Sequence, residues 1–231
     1  MKYRHLFFDL DHTLWDFDSN ARESLEEIYT AFGLEAKAIG PFQFFYTTYL
    51  THNALLWSRY EKGYITNEEL KWRRMWRTLL DFKIADEKLA KEMSAQYLEI
   101  LPTKRKVFDY TFEILDYLTA KDYSIHLITN GFEKTQRSKL NNSNLAKYFK
   151  NIITSEISNS VKPKKEIFEY ALNKAKGKIE ECIMIGDNLE ADILGAQKAG
   201  MDTIFANHIY ADCNISPTYM IHHLKELENI L

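Results

Sequence analysis

Short apolar runs recur along this chain, and each breaks off in a small or polar residue: "LFFDLD" at 6–11, "IHLITNG" at 125–131, "NIITSE" at 151–156, "CIMIGD" at 182–187 and "DTIFAN" at 202–207. Runs this short, bounded by turn-forming residues, read as strands buried on both faces. Between the later runs lie segments of helical period, at 107–120, 132–140, 164–176 and 189–199. Strand and helix in alternation predict a parallel sheet with crossover helices, an α/β doubly wound core. A last run, "PTYMI", precedes a terminal helix in "HHLKELENIL".

The stretch from 17 to 101 has another character. It is rich in aromatic residues, Leu, Lys and Glu, holds little Gly or Pro, and shows no strand run. "SNARESLEEIYTAFG" opens with Ser19 or Asn20 as a helix cap and closes at Gly33. "TNEELKWRRMWRTLL" opens with Thr66 or Asn67 and places acidic residues in its first turn. Three to five helices are expected here, inserted directly after the first strand. Pro102 marks the return to the sheet, so residues 1–16 and 102–231 form the core and 17–101 an all-helical insert.

Bulk properties exclude several classes. A formal net charge of -3 gives no global basic field for a nucleic acid polymer. The two cysteines, Cys182 and Cys213, make no disulfide framework and lack metal-site spacing. No stretch approaches the roughly 20 apolar residues of a membrane span, and the apolar run at the N-terminus is too short for a signal region. A cytoplasmic protein without a membrane partner is expected, its state of assembly open between monomer and homodimer.

Ligands of open parallel sheets bind beyond the carboxyl ends of the strands. At those ends lie Asp9, Asp11 and Thr13, then Thr129-Asn130-Gly131, and then Gly186-Asp187 with Asp192 five residues on. Lys162 follows the third run. So many carboxylates around one lysine call for a cation, and hard oxygen ligands suit Mg²⁺. Asp9 and Asp11 stand two apart, so an extended backbone points both to one side. One carboxylate can attack phosphorus while the other gives and takes a proton. The Thr129 hydroxyl and neighbouring backbone N–H groups can hold phosphate oxygens, and Lys162 can balance their charge.

"DLDHTL", "ITNG", "VKPKKEIF" and "GDNLEADILGAQKAG" resemble, in order, the four motifs of the haloacid dehalogenase superfamily. The position of the insert resembles the helical C1-type cap of its subfamily I. The resemblance implies that Asp9 is the nucleophile and Asp11 the general acid and base. It implies Mg²⁺ on Asp9, the Asp11 carbonyl and Asp187, with Asp192 as a ligand or as support for the shell. It implies phosphate contacts from Asp9, Leu10, Asp11, Thr129, Asn130, Gly131 and Lys162. "LWSRYEKGYIT", "ITNGF", "FAN" and the C-terminal "PTYMIHHLKELENIL" resemble the pyrimidine 5′-nucleotidase group within that subfamily. The expected substrate is therefore a small phosphomonoester, a pyrimidine nucleoside 5′-monophosphate, met in the insert by Trp57, Tyr60 and Gly63.

Plainer readings stand beside these. An acidic residue such as Asp192 in a first helical turn is favourable for the helix dipole alone. Thr13 reads as loop support and His12 as a bystander, while Trp57, Tyr60 and Trp76 at helical spacing are ordinarily core. A sugar-phosphate phosphatase or phosphomutase would carry the same core residues. A receiver-type signalling module also gathers aspartates, Thr and Lys around Mg²⁺, but its phosphoacceptor strand is not the first. An acid–base aspartate two residues after the nucleophile argues against dehalogenation.

Overall fold

The computed structural model describes residues 2–37 and 39–231. By contact density the chain divides into two units, Met1–Phe17 with Arg105–Leu231, and Asp18–Lys104. The sequence had suggested breaks at 16/17 and 101/102.

In the first unit six strands form one sheet: β1 (His5–Phe8), β2 (Ser124–Thr129), β3 (Asn151–Thr154), β4 (Cys182–Gly186), β5 (Asp202–Ala206) and β6 (Tyr219–Ile221). Their spatial order is β3-β2-β1-β4-β5-β6, with every pair parallel. This is the expected doubly wound sheet, and its order reverses direction at β1. Strand β4 is buried along its whole length, and β1, β2 and β5 at every residue but their first, since each of the four carries neighbours on both edges. Phe7, Ile128, Ile153, Phe168 and Met184 meet on one face in a fully buried cluster. Each such side chain contributes roughly 1.5–3 kcal/mol by leaving water.

The second unit is helical: α1 (Phe17–Ala31), α2 (Phe42–Glu61), α3 (Asn67–Asp81) and α4 (Glu87–Ile100). Helix α1 opens at Phe17, not at a cap on Ser19 or Asn20, and Asn20 is buried in its first turns. Its end is as expected: Gly33, at a φ of 58°, turns the chain out. Thr66 caps α3 with a complete capping box. Lys104 closes the unit on its own beginning, where its ammonium pairs with Glu23 of α1 at 2.8 Å and with Glu27.

Back in the first unit come α5 (Thr111–Ala120), α6 (Glu133–Asn142), α7 (Ser155–Ser158), α8 (Lys165–Ala175) and α9 (Gly195–Lys198). The helix expected over 107–120 starts at 111, because Val107 is drawn into an antiparallel bridge with Trp15 and Tyr110 takes a φ of 69°. The helix expected over 189–199 opens as a π turn, Leu189–Leu194, before α9. The terminal "HHLKELENIL" forms a 3₁₀ turn over Leu224–Asn229, where Glu226 reaches back to the His222 and His223 amides.

Candidate active site

Strand β1 ends at Phe8, and Asp9 is held at its tip by its backbone amide, which donates a hydrogen bond of 2.9 Å to the Ile185 carbonyl of β4. The Leu10 carbonyl then collects the amides of Thr13, Leu14 and Trp15, and His12 takes a φ of 62°. The chain thus coils directly after Asp9. On the neighbouring strand, Gly186 and Asp187 follow Ile185, and the π turn brings Asp192 back over them. The Asn188 side chain accepts the amides of Glu190 and Ala191, and the Asp192 carboxylate accepts the Asn188 amide at 3.0 Å. A π turn of this kind frequently marks a functional site.

Carboxylate oxygens of Asp9, Asp187 and Asp192 lie within 4.8 Å of one another. Into this group comes Lys162, only 2% exposed, with its Nζ 2.5 Å from Asp9 Oδ1, 2.6 Å from Asp192 Oδ1 and 2.9 Å from the Ile128 carbonyl. The Asn130 amide grips the Lys162 backbone at both ends, donating to its carbonyl at 3.0 Å and accepting its amide at 2.8 Å. Asn130 therefore places the lysine. Its side chain is spent on that task, and its carbonyl accepts the Ser155 hydroxyl at 3.1 Å. The Thr129 hydroxyl accepts the Gly131 amide at 3.1 Å, and the Thr13 hydroxyl donates to Asp187 at 3.1 Å.

The electrostatics are lopsided. Burial pushes the Asp9 carboxyl well above the ordinary range, and Asp192 and Asp187 add to this against the pull of Lys162. Burial, then the Asp192 charge, pushes Asp187 up to about 7, with Lys162 and the Thr13 hydroxyl opposing. Burial works against the charge of Lys162, yet Asp192 and Asp9 outweigh it and raise its pKa. Three carboxylates around one ammonium leave an excess of buried negative charge. A divalent cation would relieve it, and the donors are all hard oxygen, as Mg²⁺ requires. The site fits that ion.

Asp11 is placed otherwise than expected. The two aspartates do not share one extended strand, since β1 stops before either. The Asp11 carboxylate meets α6, where Lys139 Nζ lies 2.6 Å from one oxygen and 2.9 Å from the other, and Gln136 donates to it at 2.9 Å. Neither α6 residue stood out in the sequence. "EKTQRSKL" has the wording of a solvated helix, and the one usable signal was the three-residue spacing that sets Gln136 and Lys139 on a common face. Gly131 belongs to the same arrangement: a Cβ there would lie 1.7 Å from Gln136 Nε2. In the helical unit, the half-buried rings of Trp57 and Tyr60 pack edge to face at 5.8 Å, and Gly63 turns the chain between α2 and α3 at a φ of 76°.

An open parallel sheet that gathers buried acids and a lysine beyond its central strands defines an α/β enzyme with a phosphate- or carboxylate-handling centre. The chain belongs to the haloacid dehalogenase-like hydrolase family, whose profile matches residues 3–200. It is 31% identical to the pyrimidine 5′-nucleotidase PynA of Streptococcus pneumoniae, over the whole chain and 96% of that protein. It is likewise 31% identical to the pyrimidine 5′-nucleotidase YjjG of Escherichia coli, over the whole chain and 99% of that protein. The crystal structure of the HAD-hydrolase YfnB from Bacillus subtilis, bound to magnesium, superposes with a TM-score of 0.90 at 31% identity, covering the whole chain and 99% of that structure. Among these relatives the protein takes the place of a phosphoric monoester hydrolase. Among the described residues no helix is long and apolar enough to cross a membrane.

Proposed function

We propose that the protein hydrolyses pyrimidine nucleoside 5′-monophosphates through a phosphorylated Asp9. The observation that carries the reaction is the 2.5 Å contact between the buried Asp9 carboxylate and Lys162. A nucleophile held against a fixed cation is ready for an anionic phosphoryl group, which the same lysine then stabilises. Likeness over full length to two pyrimidine 5′-nucleotidases carries the substrate.

In this reading an Asp9 oxygen bonds to phosphorus and the bond from phosphorus to the ester oxygen breaks. Asp11 gives its proton to the departing alkoxide. Water then attacks phosphorus, Asp11 takes a proton from it, and the Asp9 carboxylate is restored with release of phosphate. Lys162 and the amides near Thr129 and Gly131 hold the phosphoryl oxygens throughout. Asp9, the Asp11 carbonyl and Asp187 would hold Mg²⁺, with Asp192 behind them, and the ion supplies charge neutralisation at the phosphoryl group. Trp57 and Tyr60 are the rings proposed to stack on the base, which contributes roughly 1–3 kcal/mol in nucleic-acid sites.

The test is phosphate release over a panel of nucleotides, sugar phosphates and an aryl phosphate, with and without chelator. Thymidine and uridine 5′-monophosphate should lead the panel, chelation should abolish turnover and Mg²⁺ restore it. Asp9→Asn should form no phosphoenzyme. Trp57→Ala should lower kcat/KM for the nucleotide and spare the aryl phosphate. A preference for sugar phosphates of about tenfold, or 1.4 kcal/mol, would replace the nucleotidase reading by a sugar-phosphate phosphatase.

A further inference from the structure

The least expected polar contact in the core unit is the one between Asp11 and α6. Lys139 is 2% exposed and Gln136 1%, whereas the Asp11 side chain is 23% exposed. The buried members of the group thus present the open one. Lys139 lies 4.2 Å above the Trp15 ring and 5.3 Å from that of Phe17, so its ammonium meets aromatic faces as well as the Asp11 carboxylate. Gln136 sits one helical turn earlier, in space that Gly131 leaves clear.

Stability alone does not account for this. A buried ammonium is costly, and an apolar side chain in its place is commonly neutral or stabilising. What the arrangement does secure is geometry. Two donors, one of them bridging both oxygens, fix the rotamer of a short carboxylate that would otherwise turn freely.

We propose that Lys139 and Gln136 are positioning residues for the proton-transfer group Asp11, a role that rests on the function proposed above. They do not touch the phosphoryl group. They hold the carboxyl group at one orientation, so that it gives its proton to the departing ester oxygen and, in the second half of the reaction, takes one from the attacking water. Proton delivery to an alkoxide is worth on the order of 10²–10⁴ in rate. A nitrophenolate departs without that help, so its release in the first turnover reads Asp9 and Lys162 alone.

The experiment compares the wild-type enzyme with Lys139→Met, Lys139→Arg and Gln136→Met on two substrates. Lys139→Met should lower kcat/KM for thymidine 5′-monophosphate about 10²-fold, while first-turnover release from p-nitrophenyl phosphate stays within about threefold. Gln136→Met should show the same split at about tenfold, as expected for one hydrogen bond to a charged group. Lys139→Arg should recover part of the loss, since a guanidinium can span the same two oxygens. Equal losses on both substrates would assign the pair to folding and overturn the proposal, as would an unchanged nucleotide rate. Should Lys139→Met fail to fold, the Gln136→Met split decides alone. If the wild type prefers a sugar phosphate, the nucleotidase reading falls but the comparison holds with that ester, whose leaving group also needs a proton. A wild type that releases phosphate from no ester overturns the function itself.

Discussion

A methyl group at Gly186 would sit 2.3 Å from Asp192 Oδ2 and 2.4 Å from its Cγ. The carboxylate has nowhere to retreat, because Lys162 holds one oxygen and the Asn188 amide the other. Gly186→Ala should therefore raise the Mg²⁺ concentration needed for half-maximal phosphate release by about 10–100-fold, and cost roughly 1–3 kcal/mol of stability through overpacking. A metal titration and a melting curve read the two effects, and an unmoved midpoint would show Asp192 to be idle. Asp9, Lys162, Asp187 and Asp192 were visible in the sequence because each stands next to a strand end or in a motif. Lys139 and Gln136 were not, since burial decides their role and a polar helix does not announce which side it buries. The commitment of the Asn130 side chain to the Lys162 backbone was equally hidden, being a contact across 32 positions of sequence.

The helices show how far local chemistry reaches. Thr66 accepts the Glu69 amide at 3.2 Å while Glu69 accepts the Thr66 amide at 2.8 Å. This reciprocal pair was legible, since it needs only residues three apart. Thr66→Ala should destabilise the helical unit by about 1 kcal/mol, read by urea unfolding, and leave first-turnover nitrophenolate release unchanged. A loss of that release would mean α3 does more than hold its own unit. The misread ends have tertiary causes. Helix α1 starts early because the coil after Asp9 runs straight into it, so that Ser19 and Asn20, good caps elsewhere, lie inside its first turn. The π turn at Leu189–Leu194 arises because Asn188 accepts both the Asp192 and the Ile193 amides on its carbonyl, a geometry with no sequence period of its own.

For the molecule as a whole, acid stability has an identifiable contributor. His126 lies buried in β2, accepting from the Asn151 side chain at 2.9 Å and meeting His5 at 3.2 Å. Burial, then the neighbouring His5 and Lys150, lowers its pKa to about 4 from 6.5. The folded state thus refuses a proton that the unfolded chain accepts below pH 6.5. The stability tied to this difference is fully present above pH 6.5 and is lost as pH falls toward 4. Its size is on the order of 2 kcal/mol. Urea unfolding from pH 7 to pH 4.5 should show the wild type losing more stability than His126→Gln by most of that amount. Parallel losses would mean the imidazole is already charged in the native fold. The parallel direction of the strands was predictable from the run-and-helix alternation, but this polar row across β1, β2 and β3, with His126 buried at its centre, was not, for it exists only once the strands are in register.

The pairing of Lys104 with Glu23 and Glu27 brings the end of the helical unit back to its beginning. For the folding chain this shortens a journey. His5 must find Ser124 to register β1 against β2, across the whole insert. The helices between them contact chiefly their neighbours in sequence, so they can form early and locally. Once they have, the flexible path from His5 to Ser124 is roughly a quarter of its former length, which lowers the entropy of closing it by on the order of 1 kcal/mol. A long interruption placed in the middle of the catalytic sheet then slows its assembly little more than a short loop would.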